Sequence, residues 1–152
     1  DLMNEPENMA MLAVPTFYAG LYAWFKDLSN IVHRETSLRV TLGSQSLVDA
    51  PRWWNGLDID IWQFHFYDYM KRDHEFDPLR TPRSSVPLSG MLFCGEIEPR
   101  DLTTSLSTIK NNGYQGAMIW SWRASDGLSL TTTHPSELAQ LVELIYQSKK
   151  TP

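Results

Sequence analysis

The sequence predicts an α/β fold on a parallel sheet whose strand ends gather on one rim, and three observations carry that prediction. Strand-like and helix-like patterns alternate along the chain, from a strand tip through helix, strand, turn, strand, long loop, strand, helix and strand to a final helix. Alternation of that kind means a parallel sheet with crossover connections. The clearest strand is apolar on both sides, as strands covered on both faces are. Finally, two glutamates far apart in the chain, Glu5 after Leu2-Met3-Asn4 and Glu96 after Leu92-Phe93-Cys94-Gly95, each stand where a hydrophobic strand gives way to a loop. A parallel barrel makes such distant strand ends meet at its C-terminal rim.

Residues 1–8 read as a strand tip and a loop, because Pro6 disfavours a helix through Asn4 and Glu5. From about Thr16 to Glu35, Tyr18, Leu21, Tyr22, Phe25, Leu28 and Val32 recur at helical spacing and predict an amphipathic helix packed on the sheet. Residues 38–44 form a short β-rich run closed by Gly43 and small polar residues. Residues 49–56 are too broken for more than a helical turn, and adjacent Trp53 and Trp54 are read as packing in preference to lining a groove.

Residues 57–67 (LDIDIWQFHFY) alternate with period two. Ile59, Ile61, Gln63, His65 and Tyr67 fall on one side, and Trp62, Phe64 and Phe66 on the other. The first file thus ends in His65 and Tyr67 at the rim. Residues 68–88 form a long polar loop with Pro78, Pro82 and Pro87, a length that points to a functional loop. Residues 91–96 form the next strand, with Leu92, Cys94 and Glu96 expected on one face and Cys94 as a core filler beneath Glu96.

Asp101 is the expected N-cap of a helix running to about Lys110, stopped by Asn111-Asn112-Gly113. Residues 114–122 make the last strand, with Gly116, Met118, Trp120 and Trp122 on one face. Pro135 then opens a final helix through Leu138, Leu141, Val142 and Ile145, closed by Lys149 and Lys150.

Composition narrows the partners. With 152 residues, 42% hydrophobic and 20% charged, the chain has the make-up of a globular domain. A net charge of −5 with no run of Lys or Arg argues against a nucleic-acid or anionic-membrane partner. No apolar stretch is long enough to cross a bilayer, and no signal peptide is seen. The single cysteine excludes an internal disulfide. Six Trp, six Tyr and six Phe suit stacking on sugar rings, and equally suit a core.

Four motifs stand in order at predicted strand ends: Asn4-Glu5-Pro6, His65-Phe66-Tyr67, Gly95-Glu96 and Trp120-Ser121-Trp122. The set resembles the cellulase-like clan of retaining (β/α)8-barrel glycoside hydrolases, of endoglucanase and mannanase type. That resemblance implies a TIM-type barrel of which residues 1–152 supply roughly the last four β/α units, from the end of strand four through helix eight. By the same resemblance Glu5 would be the acid/base, Glu96 the nucleophile, and Asn4 the partner of the sugar 2-hydroxyl. Tyr67 would hydrogen-bond Glu96, and His65 would orient substrate or the acid/base. Trp122 comes first as platform under the reacting sugar, because Ser125-Asp126 also resembles the clan there; Trp120 comes second.

The chemistry fits that allocation. A retaining hydrolase needs one protonated and one ionised carboxyl roughly 5 to 5.5 Å apart. Glu7 and Glu98 are neighbouring carboxylates set aside on strand parity. Asp68, His74 and Asp77 match no specific metal spacing and are read as a solvated loop. The resemblance implies a carbohydrate substrate, either β-glucan or β-mannan, with no metal and no cofactor, and it alone points to a secreted or periplasmic protein.

A complete barrel has eight strands and about 250 residues. The expected partner is therefore an N-terminal half-barrel, in the same or another chain, since four strands alone leave open edges and an uncovered face. The opening of the chain within a strand favours a fragment of a longer enzyme over a half-barrel that works by assembly. The other reading is a catalytically silent half that binds carbohydrate or completes another chain.

Overall fold

A computed structural model of the chain describes residues 1–9, 13–72, 77–98 and 101–120, together with Ser136, Ala139, Gln140 and Glu143. Four strands, β1 (Thr41–Ser44), β2 (Ile61–Phe66), β3 (Met91–Ile97) and β4 (Ala117–Ile119), lie parallel and in chain order. The first residues add a further parallel neighbour. Asn4 bridges to Gly43, and hydrogen bonds run from Leu2 N to Thr41 O (2.8 Å) and from Glu5 N to Gly43 O (2.7 Å). The parallel α/β sheet expected from the sequence is thus present, with the strand tip in place beside β1.

Register separates two faces. Leu42, Trp62 and Leu92 stand side by side, as do Ser44, Phe64 and Cys94. This face is buried, and Phe25 of α1 (Pro15–Glu35), Trp54 of α2 (Asp49–Trp54) and Ile109 of α3 (Leu102–Asn111) complete its core. The other face carries Thr41, Ile61, Gln63, Phe93 and Met118. These five side chains are half-buried or exposed, with Met118 at 56%. The expectation that β2 is buried on both sides therefore holds for one face, because among the described residues the helices all pack on the same side.

The element boundaries are tighter than the apolar patterns suggested. Leu57 and Ile59 are buried, yet they precede β2, since Asp60 N and Ile61 N both turn to Val40 O. Strand β4 is three residues long, although Trp120 N still donates to Ile97 O (2.9 Å). Helix α1 runs almost where its periodicity places it. Trp54 is fully buried and Trp53 packs against the core, as expected of the pair.

Asp101 stands at the N-cap of α3, but its side chain makes no capping bond; its backbone is left-handed, at φ 46°. The expected last helix falls mostly outside the described residues, including Pro135, Leu138, Leu141, Val142, Ile145, Lys149 and Lys150. Ser136, Ala139, Gln140 and Glu143 are helical, and Thr103 Oγ1 donates to Gln140 Oε1 (3.2 Å).

The long connection between β2 and β3 is organised from within. The Arg83 guanidinium donates to the carbonyls of Val86, Leu88 and Gly90 at 3.2, 2.7 and 2.9 Å. Asn112 Nδ2 reaches Pro78 O (2.7 Å) and the Tyr114 hydroxyl reaches Thr81 O (2.8 Å), tying the connection to the end of α3. Asp77 is 1% exposed and accepts the Leu79 N–H (2.9 Å), so it is a buried turn residue and not part of a solvated loop. His74 lies outside the described residues.

Candidate active site

Two backbone irregularities build the site. The first is in β3, where Phe64 pairs with Cys94 but His65 pairs with Glu96, so Gly95 is an extra residue on the β3 side. Such a bulge lets two residues oppose one and reverses the parity beyond it. Leu92 and Cys94 therefore face the helices, whereas Glu96 turns to the open face beside His65. The expectation that Leu92, Cys94 and Glu96 share a face is corrected by this single residue. Glycine leaves room there for the Gln63 side chain, since a Cβ at position 95 would come within 2.6 Å of Gln63 Oε1 and 3.1 Å of Gln63 Cβ.

Cys94 is fully buried, and its thiol donates to the Glu96 carbonyl at 3.2 Å. Burial pushes that thiol well above its ordinary range, so it is the inert core residue expected, on the side of the sheet opposite the Glu96 carboxylate.

The second irregularity is Glu5, whose backbone is left-handed (φ 46°, ψ 55°) and leads into a 3-10 turn over Pro6–Asn8. A non-glycine residue in that region is strained by about 1–3 kcal/mol and persists where its surroundings over-determine it. The surroundings here do so. Glu5 N is bound to Gly43 O, while its side chain meets His65 and receives a hydrogen bond from Asn8 Nδ2. Gly43 permits the close approach, since a Cβ there would lie 2.8 Å from Asn4 Oδ1.

The two carboxylates converge on one imidazole. His65 Nδ1 lies 2.5 Å from Glu5 Oε1 and 3.3 Å from Glu96 Oε2. The His65 side chain is 1% exposed, whereas Glu5 and Glu96 keep 24% and 13%, so the acids are open to a ligand and the histidine is not. Tyr67 closes the set by donating its hydroxyl to Glu96 Oε2 at 2.5 Å. Burial first, and the neighbouring Glu96 second, push the Tyr67 phenol far above its ordinary value, which keeps it a donor.

Among the described residues, Glu5, His65 and Glu96 are a group that could each offer one ligand atom to a metal ion, all within 4.8 Å of one another. An ion there would have to displace the imidazole–carboxylate contacts, so the arrangement as it stands is a hydrogen-bonded acid pair.

The remaining expected residues fall around this centre. Asn4 is exposed beside Gly43, and Trp120 is half-buried past the end of β4. Trp122, Ser125 and Asp126 lie outside the described residues. Glu7 and Glu98 are removed from the pair by bonds of their own. Glu7 accepts from Ser44 Oγ (2.5 Å), Gln45 N (3.1 Å) and the Trp54 indole, and Glu98 accepts from Asp68 N (3.0 Å). Asn8 was missed by the sequence reading, although Glu5-Pro6-Glu7-Asn8 has the spacing that lets a turn fold Asn8 back on Glu5.

The fold and site together define a class: a parallel α/β sheet, as found in part of a (β/α)8 barrel, with two carboxylates paired at its rim. Solved structures agree with that class. The chain is similar to an endo-1,4-beta-mannanase from Eisenia fetida, with 20% sequence identity and a TM-score of 0.58, over 77% of this chain and 39% of that one. It is also similar to a beta-1,4-mannanase from the common sea hare Aplysia kurodai, with 18% identity and a TM-score of 0.56, over 78% of this chain and 40% of that one. At such identities the likeness establishes the fold, and this chain spans about two-fifths of the length of either neighbour. No family model matches the sequence, and no curated protein sequence matches it significantly.

Proposed function

We propose that this chain is the C-terminal part of a retaining glycoside hydrolase that cleaves a β-linked polysaccharide or oligosaccharide, with β-mannan as the preferred substrate class. The observation that carries this reading is the convergence of Glu5 and Glu96, whose carboxylate oxygens lie within 4.8 Å of each other about the His65 ring. That spacing suits the roughly 5 to 5.5 Å of retaining enzymes and is too short for the water of an inverting one. The mannanase likeness supports the substrate class.

In this reading a Glu96 oxygen attacks the anomeric carbon while the Glu5 proton passes to the departing glycosidic oxygen, leaving a glycosyl ester on Glu96. Glu5 then takes a proton from water, the water oxygen attacks the same carbon, and the ester bond breaks to free Glu96. His65 fixes the Glu5 carboxyl, Tyr67 holds the Glu96 oxygen in line, and Asn4, Trp120 and Trp122 contact the sugar. No cofactor takes part.

The open face of the sheet, with Met118 and Asn4 uncovered, supports a further requirement: an N-terminal half-barrel, in the same or another chain, completes the substrate cleft. The same feature favours the alternative of a silent half-barrel. Hydrolysis of aryl β-mannosides and β-glucosides by this chain and by an N-terminally extended form, with mass measured on the same samples, separates the two. Activity in either form supports the enzyme; a folded, inactive extended form sinks it.

A further inference from the structure

We propose that Tyr69 is the stacking platform for the sugar unit next to the reacting one along a β-linked chain, an assignment that rests on the hydrolase reading above. Tyr69 is 65% exposed, so most of a large ring stands in water. Its ring lies parallel to that of Tyr67, 6° between planes and 5.9 Å between centroids. The Tyr67 hydroxyl in turn sits 2.5 Å from the Glu96 carboxylate. An exposed, flat and largely apolar surface is therefore held one ring-step from the carboxylate that attacks the sugar, and it faces solvent at the rim.

The backbone beneath it is tied down. The residues Asp68–Arg72 form a 3-10 turn. Met70 N donates to Tyr67 O at 2.8 Å, and Asp68 N donates to a Glu98 carboxylate oxygen at 3.0 Å. These two bonds hold the backbone on either side of Tyr69. A tyrosine on such a backbone, with its ring laid parallel to that of Tyr67, offers contact area at small entropic cost, which is what a platform for a ring requires. An apolar C–H face of a pyranose would cover it, and the phenol oxygen would remain in water.

The test compares the wild-type chain with Tyr69→Ala and Tyr69→Phe on an aryl β-mannoside, which fills the reacting position, and on β-1,4-linked mannopentaose, which extends beyond it. If an aromatic contact of roughly 0.5–1.5 kcal/mol is lost, KM for the pentasaccharide should rise by about two- to tenfold in Tyr69→Ala. The expected pattern also has kcat within twofold, the aryl mannoside unaffected, and Tyr69→Phe close to wild type. Equal KM values for wild type and Tyr69→Ala on the pentasaccharide, with Glu96→Gln still abolishing hydrolysis, would overturn the platform and leave the hydrolase standing. Equal losses on both substrates would make Tyr69 a support for Tyr67 and overturn it as well. Where only the N-terminally extended form hydrolyses the aryl mannoside, the comparison is made in that form; hydrolysis of neither substrate by either form would remove the underlying reading and the platform with it.

Discussion

Among the described residues, two histidines stand between pairs of carboxylates, one at each end of the sheet, and the arrangements differ in one respect. At the end where the strands begin, His33 of α1 places Nδ1 3.0 Å from Asp58 Oδ2 and Nε2 2.8 Å from Asp60 Oδ2. Each ring nitrogen has its own acceptor, and Asp60 also accepts the Val40 N–H at 2.7 Å. At the opposite rim His65 presents one nitrogen to both Glu5 and Glu96. The first pattern saturates a protonated ring and pins a helix to a loop. The second brings two carboxylates to a single ring nitrogen, so that neither has the imidazole to itself.

The backbone tells the same story. The His33 latch joins an ordinary helix end to an ordinary strand approach, whereas the rim needs a left-handed glutamate and a bulge at Gly95. Of the two left-handed non-glycine residues described, Glu5 stands at the rim and Asp101 at the start of α3.

The largest effect should come from exchanging an acid at each end. Glu96→Gln is expected to lower kcat by on the order of 10³-fold or more without unfolding the chain. Asp60→Asn should leave kcat within twofold and lower the thermal midpoint instead. Steady-state kinetics and calorimetry on both variants would check this, and a similar loss of kcat in each would erase the distinction between the two ends.

A smaller effect is expected at the bulge. Gly95→Ala introduces a Cβ 2.6 Å from Gln63 Oε1 and 3.1 Å from Gln63 Cβ. Overpacking of that kind costs typically 1–3 kcal/mol, so about that loss should appear in denaturant unfolding. Adding Gln63→Ala should recover part of it, because the closest clash is with the end of that side chain. No recovery would mean that the strain lies in the backbone.

The smallest effect belongs to the latch, whose members all reach solvent and are worth about 0–1 kcal/mol. The hydrogen bond that His33 donates to Asp60, then the Asp60 and Asp58 charges, raise the His33 pKa. The Val40 N–H and then His33 lower that of Asp60, with Arg39 adding to the same direction. A raised histidine stabilises fully below its unfolded value of about 6.5, and the gain is lost as pH rises through the higher folded value. A depressed Asp60 stabilises above about 3.9, and that gain is lost as pH falls through its lower folded value. Stability should therefore decline above about pH 6.5, and His33→Gln should flatten that slope. An unchanged slope in the variant would remove the latch from the account.

Much of this was legible in the sequence, for physical reasons that also explain what was not. Glu5, His65, Tyr67 and Glu96 could be placed because parallel strands deliver their C-terminal residues to one rim. Strand parity, however, pointed Glu96 the wrong way. The isolated Gly95 was the available sign of a bulge, since glycine inside a strand often marks one. The left-handed turn at Glu5 could not be read, because its stability comes from Gly43, His65 and Asn8 and not from any local preference. Glu7, set aside from the sequence, is drawn away from the pair by partners that only folding brings to it, Ser44, Gln45 and Trp54.

The central claim is that Glu96 attacks the sugar and carries it covalently. Incubation with 2-deoxy-2-fluoro-β-mannosyl fluoride, followed by mass spectrometry of the peptides, tests it most directly on whichever form of the chain hydrolyses aryl mannosides. The account predicts one fluoromannosyl adduct, on Glu96, that is absent in Glu96→Gln. An adduct on Glu5 or elsewhere, or an active chain that is never labelled and releases sugar of inverted configuration, would contradict it.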